Sequence, residues 1–332
     1  MSRIVSISAV AFLIVAIMPL SADAGVVFGV DNNGSADQIV RINSDGSNST
    51  VLFEDPTGDS NPRGIAYDSI GDRIFFTDVV DRTITSVAAT GGGTASSFGT
   101  SGAPISASFD NAGGRVFIYE GNPVDAIASY PAAGGTPADF YVDPDSSVSS
   151  ANIGSNNHTA IDGNAIYFAP DLGTSSEILR GNLTTAATTT IFANPDDGIR
   201  GLAISGDSLY FVSNDTDTIN QLDISGTAAT LTQTIALDPT VGNTPQGLAT
   251  DGNFLYYAET NTSAGRGIYR YNLDLTGRTQ IFSGDGVFYG VAGVADVTAV
   301  PEPASMLVLG MIGGGAMYRR RGKRSDRSSV VG

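Results

Sequence analysis

"GIAYDSIGDRIFFTDVVDRTITSVAATGG", residues 64–92, places three short apolar segments, GIAYD, RIFFTD and TITSVA, on either side of two tight polar turns. The segments are rich in Ile, Val, Phe, Tyr and Thr, residues that suit a pleated, half-buried surface. The turns between them carry Gly, Asp and Ser, whose backbone preferences and short side chains close reversals of the chain. No helical period of 3.6 runs through the stretch. It reads as an antiparallel meander, and the question is how often it recurs.

It recurs along most of the chain. Copies of the first segment stand at RGIAYD (63–68), ISASFD (105–110), NHTAID (157–162), RGLAIS (200–205), QGLATD (246–251) and YGVAGV (289–294), spaced 42 to 52 residues apart. The first five are followed by a second, aromatic segment: RIFFTD, RVFIYE, AIYFAP, SLYFVS and FLYYAE. GVVFGVD (25–31) is a further second segment with no first one before it. A period of this length with about four strands per unit is that of a β-propeller blade. Five units lie between residues 61 and 286, and the sixth is split between the two ends of the domain. The expected fold is an all-β, six-bladed β-propeller closed by pairing of N- and C-terminal strands, which leaves the ring without open edges.

These units resemble the YWTD repeats of the low-density lipoprotein receptor propellers, with FFTD (75–78) in the place of the signature. The likeness is clearest over residues 25–100, and FIYE and LYYAET depart from it. Those propellers usually stand beside cysteine-rich neighbours, whereas this chain of 332 residues has no cysteine. What the resemblance implies is the fold; ligands are set by sites grafted on it.

The two termini point to export. Arg3, an apolar run over residues 4–20 and Ala22-Asp23-Ala24 form a charged start, a hydrophobic middle and a small-x-small cleavage site. That is a signal peptide, residues 1–24, cut after Ala24. At the other end Pro301, Glu302 and Pro303 precede 15 uncharged residues (304–318), then Arg319, Arg320 and Arg321. A permanent helical span needs roughly 20 apolar residues, so this run suits a temporary anchor whose arginines stay cytoplasmic. The order resembles the PEP-CTERM sorting signal of bacterial exported proteins. The resemblance implies recognition and cleavage by an exosortase, transient inner-membrane contact through residues 301–332, and a final place at the cell surface or outside it.

Between residues 25 and 300 there are 10 arginines, no lysine and 31 acids, a net charge of −21. Such a surface repels nucleic acid. Many of the acids fall in turn sequences such as NNGSAD and NPDDG, where turn chemistry asks for them. His158 is the one histidine; with no cysteine, histidine- or cysteine-based nucleophilic catalysis has almost nothing to work with.

Aligning the first segments puts Arg63, Ile105, Asn157, Arg200, Gln246 and Tyr289 at one equivalent position, and so on one ring around the axis. Arg63, Asn157, His158, Arg200, Gln246 and Tyr289 are the candidate ligand-binding residues. Two guanidiniums beside amides and a tyrosine suit a carboxylate or a sugar, or else brace Asp-rich loops. Asp31, Asn33 and Asp37, with Ser35, alternate along one loop, and Asp215 and Asp217 along another, in the manner of calcium ligands, though neither has the distal Glu of an EF-hand. Glu120 and Glu259 share the aligned place of Asp78, a repeated blade turn.

Two function classes follow. One is an exported, non-catalytic propeller that binds extracellular polysaccharide or a surface protein, with no cofactor beyond calcium at those loops. The other is a propeller enzyme of lactonase or lyase type using a divalent cation in the channel. One histidine, no cysteine and no lysine in the domain favour the first.

Overall fold

The computed structural model describes residues 25–32, 36–121, 126–142, 159–170, 176–194, 198–213, 216–237, 245–260, 265–284 and 287–294. The expected signal peptide with its cut after Ala24 lies outside the described residues, as does the tail with Pro301, Glu302, Pro303 and Arg319, Arg320 and Arg321.

Six antiparallel sheets are formed, and no helix occurs among the described residues. Blade 2 is the opening stretch of the sequence: Pro62–Asp68, Arg73–Asp78, Thr83–Ala88 and Ser96–Gly99, paired in that order. Blades 4, 5 and 6 repeat the meander from Thr159–Asp162, Ile199–Ser205 and Pro245–Thr250. Blade 1 is the split one. Val287–Val294 pairs antiparallel with Val26–Asn32, which is followed by Asp37–Asn43 and Ser49–Asp55. The closure expected from the sequence is therefore present.

Blade 3 departs from the expected pattern. ISASFD is not one strand: Ala103–Pro104 and Ser108–Asp110 pair separately with Arg115–Gly121. Between them the Ser106 hydroxyl accepts the Tyr119 amide at 3.1 Å, so a side chain stands in for a ladder carbonyl. This satisfies the buried amide without a continuous strand.

The turns explain the repeated acids. At the end of the innermost strand Asp68 accepts from the amides of Ile70 and Gly71, Asp110 from Ala112, and Asp251 from Asn253 and Phe254, at 2.7–3.0 Å. Each carboxylate thus closes the hairpin that leads to the next strand.

The core lies at the seams between blades. Six buried clusters form, each drawing on two consecutive blades. At the seam of blades 6 and 1, Tyr256, Ile268 and Ile281 pack with Val27, Val40, Phe288 and Val291. Each sheet buries both faces, which is why its central strands read as continuous apolar runs rather than as alternation.

Candidate functional site

Where the innermost strands begin, their ladder to the second strand slips. Pairing jumps from Pro62↔Asp78 to Ile65↔Phe76 in blade 2 and from Pro245↔Glu259 to Leu248↔Tyr257 in blade 6. It jumps from Ile199↔Ser213 to Gly201↔Val212 in blade 5 and from Phe288↔Asp31 to Val291↔Gly29 in blade 1. The residues left in these bulges are Arg63, Gln246, Arg200 and Tyr289, with Gly64, Gly247 and Gly290 beside three of them and Gly201 next after Arg200. A β-bulge takes a side chain out of the pleat and re-aims it. The ring inferred from the alignment is thus a ring of bulges in the four blades named.

The glycines are there because the inner strands nearly touch. A Cβ at Gly64 would stand 2.4 Å from the Ser106 carbonyl carbon, and one at Gly290 would stand 2.5 Å from the Arg63 carbonyl oxygen. Only a hydrogen fits. In blade 2 the bulge leaves the Gly64 amide off the ladder, and it donates to Thr77 Oγ1 at 2.8 Å.

Arg63 is held on two sides. Its Nε donates to Asn61 Oδ1 at 2.7 Å, and its guanidinium carbon lies 3.9 Å from the centre of the Tyr289 ring. It takes part in no ion pair among the described residues. Burial pulls its pKa below the ordinary guanidinium value; Tyr289 opposes this, and the charge of Arg200 adds to it. Arg200 stands at the equivalent bulge three blades away in a ring of six. Gln246 is buried at 6 % exposure and Tyr289 is half-buried, whereas Ile105 packs into the seam of blades 3 and 4. Asn157 and His158 lie outside the described residues.

Behind this ring, at the end of the second strand, stand the buried carboxylates Asp31, Asp78, Glu120 and Glu259. Asp78 and Glu120 share an aligned position but not a task. Asp78 Oδ1 accepts from the amides of Asn61, Val80 and Asp81, whereas Glu120 accepts from Tyr130 Oη and Ser101 Oγ. One closes a turn; the other ties an incoming loop to its blade.

The acidic loops fare differently as cation sites. Asp31 pairs with Gln38, the chain neighbour of Asp37, which puts Asp31 and Asp37 on opposite faces of the sheet. Asp37 and Asn32 reach blade 2, at Ser60 (3.1 Å) and Asn61 (3.0 Å). Asn33, Ser35 and Asp215 lie outside the described residues. Asp217 takes a left-handed φ of 50° in a turn, and its carbonyl accepts from the Leu237 amide at 2.8 Å. Among the described residues no group of three or more acidic, histidine or cysteine side chains is arranged to hold a metal ion.

Asn61 and Asn32 are absent from the sequence-derived candidates; two residues before the ring position no other blade has Asn. Asn61 stands two residues before Arg63, close enough to have been suspected as its partner.

No protein-family model matches the chain, and no curated protein matches it. Solved structures do. A chain of the nidogen/laminin complex is similar with a TM-score of 0.65 at 14% identity, over 82% of this chain and 99% of that one. Virginiamycin B lyase from Staphylococcus aureus is similar with a TM-score of 0.55 at 16% identity, over 84% and 94%. TolB from Acinetobacter baumannii follows at 0.56 and 15%, over 83% and 68%. At such identities the likeness is one of fold, and it takes in a member of a protein complex and a lyase alike.

Proposed function

We propose that this chain is an exported, non-catalytic propeller that binds a carboxylate-bearing extracellular ligand, an acidic glycan first of all, at the mouth ringed by Arg63, Arg200, Gln246 and Tyr289. The observation that carries the reading is Arg63: a half-buried guanidinium stacked on Tyr289, hydrogen-bonded to a neutral amide and joined to no carboxylate among the described residues. A cation so placed gains from an incoming anion, and its planar fork fits a carboxylate. The surrounding charge of −21 over residues 25–300 repels anions that miss the mouth. Signal peptide, exosortase-processed tail and surface or matrix location complete the proposal and rest on the terminal motifs.

The test is calorimetric titration of trigalacturonate into the wild-type protein and the Arg63→Gln/Arg200→Gln variant, with the sugar recovered and weighed by mass spectrometry. The wild type should bind, the sugar should come back intact, and the double variant should bind at least tenfold more weakly with its melting temperature nearly unchanged. Equal affinity in both proteins overturns the site, and a shortened or unsaturated sugar overturns the non-catalytic reading in favour of a lyase or hydrolase.

A further inference from the structure

We infer that Asn61 is a positioning residue that locks Arg63 so that only the Nη1/Nη2 edge of its guanidinium meets the ligand, making the mouth an end-on reader of one carboxylate. This rests on the proposed carboxylate binding and narrows it.

A guanidinium offers a carboxylate two forked edges, one through Nε and one Nη, the other through both Nη atoms. In Arg63 the first is spent, because Nε donates to Asn61 Oδ1 at 2.7 Å. One flat face is covered by Tyr289 at 3.9 Å. The Nη1/Nη2 edge makes no hydrogen bond among the described residues. It alone remains for bidentate contact.

Asn61 is itself fixed. The same Oδ1 accepts from Asn32 Nδ2 of blade 1 at 3.0 Å, while its amide donates to Asp78 Oδ1 at 3.3 Å and its carbonyl accepts from Val79 at 3.2 Å. An amide with a neutral oxygen between two donors orients Arg63 without cancelling its charge. A carboxylate in that place would hold the arginine as well and neutralise it. The choice of Asn over Asp is the specificity device, and it lies across the seam of blades 1 and 2, so the ligand's anchor is set by how those blades meet.

The inference is tested with Asn61→Asp and Asn61→Leu in the domain-containing full chain. Asn61→Asp should keep or raise the melting temperature yet weaken trigalacturonate binding at least tenfold, since the arginine then carries its own anion. In 15N NMR of the ligand-free wild type, the Arg63 Nε–H should exchange slowly with solvent; in Asn61→Leu that protection should be lost. Wild-type affinity in Asn61→Asp, or affinity lost only in step with melting temperature in both variants, overturns the positioning role. An unprotected Nε–H in the wild type overturns the lock itself. A protected Nε–H in a wild type that binds no uronate leaves the lock standing and fails the carboxylate reading instead.

Discussion

Asp45, Asp55, Asp223 and Asp274 each stand two residues before a Ser or Thr, and each carboxylate accepts the amide of that residue at 2.8–3.1 Å. The same four carboxyls are held below their ordinary pKa by that same Ser or Thr, its hydroxyl first and its amide second, and Asp55 is brought down to about 2 with Thr57 as the main cause. A group depressed in the folded state stabilises it above its unfolded pKa and loses that contribution as pH falls through the folded value. For Asp55 the window runs from about pH 4 to pH 2. Replacing Asp55 by Asn keeps an acceptor and removes the titration. The expected result is a melting temperature that falls less steeply than the parent's across that window, read by scanning fluorimetry at closely spaced pH values; identical slopes would refute it. Acidity in this chain is thus partly local chemistry, as turns such as DGS (45–47) and DPT (55–57) suggest by composition alone.

At the scale of the strand, the bulge governs the site. The first strands RGIAYD, RGLAIS, QGLATD and YGVAGV all carry the same sign of it, a variable residue followed by Gly. Gly290 has Arg63 O at 2.5 Å and Ile65 Cγ2 at 3.1 Å from where a Cβ would sit, and the first is backbone that cannot rotate away. Gly290→Ala should therefore cost about 1–3 kcal/mol through overpacking, measured by denaturant unfolding, and should weaken uronate binding by displacing the Arg63 backbone. A variant as stable as the parent would mean that the inner strands do not approach as closely as described. The ring position was legible in the sequence because equivalent residues of repeats meet around one axis. That Ile105 would sit on a broken strand was not, since the Ser106 hydroxyl replacing a carbonyl depends on where Tyr119 arrives from the next strand. Nor was Asn61: its partners Asn32 and Arg63 come from two blades, 29 and 2 residues away.

For the whole molecule, closure is the decisive event. Val287–Val294 is the innermost strand of blade 1 and also brings Phe288 and Val291 to the last seam. A chain ending at residue 286 would leave the Val26–Asn32 edge unpaired and strip both residues from that cluster. Losing buried aromatic and aliphatic side chains of this kind costs about 3–5 kcal/mol for a single Phe, and an open strand edge invites pairing with other chains. The truncated protein should aggregate or melt well below the parent by light scattering and calorimetry, and a monomer of unchanged melting temperature would refute ring closure at this strand. The mouth would go with it, because Tyr289 under Arg63 belongs to the same strand.

The periodic part is readable along the chain: short aromatic and β-branched segments, turns built on Asp and Gly, a repeat of 42 to 52 residues, and one unit divided between the two ends that only a closed ring satisfies. These follow from local propensity and from the need to pair strand edges, both of which are readable along one chain. How unlike residues of different blades combine is settled instead by the packing of one blade on the next. Asp31 and Asp37 alternate in sequence as ligands would, yet the ladder sends them to opposite faces. Arg63, free in sequence to brace an acidic loop, instead meets Asn61 and Tyr289, because the seam of blades 1 and 2 delivers an amide and a ring where a carboxylate could have stood. Contacts across a seam depend on the distance between two backbones, and no pattern within one repeat encodes that distance.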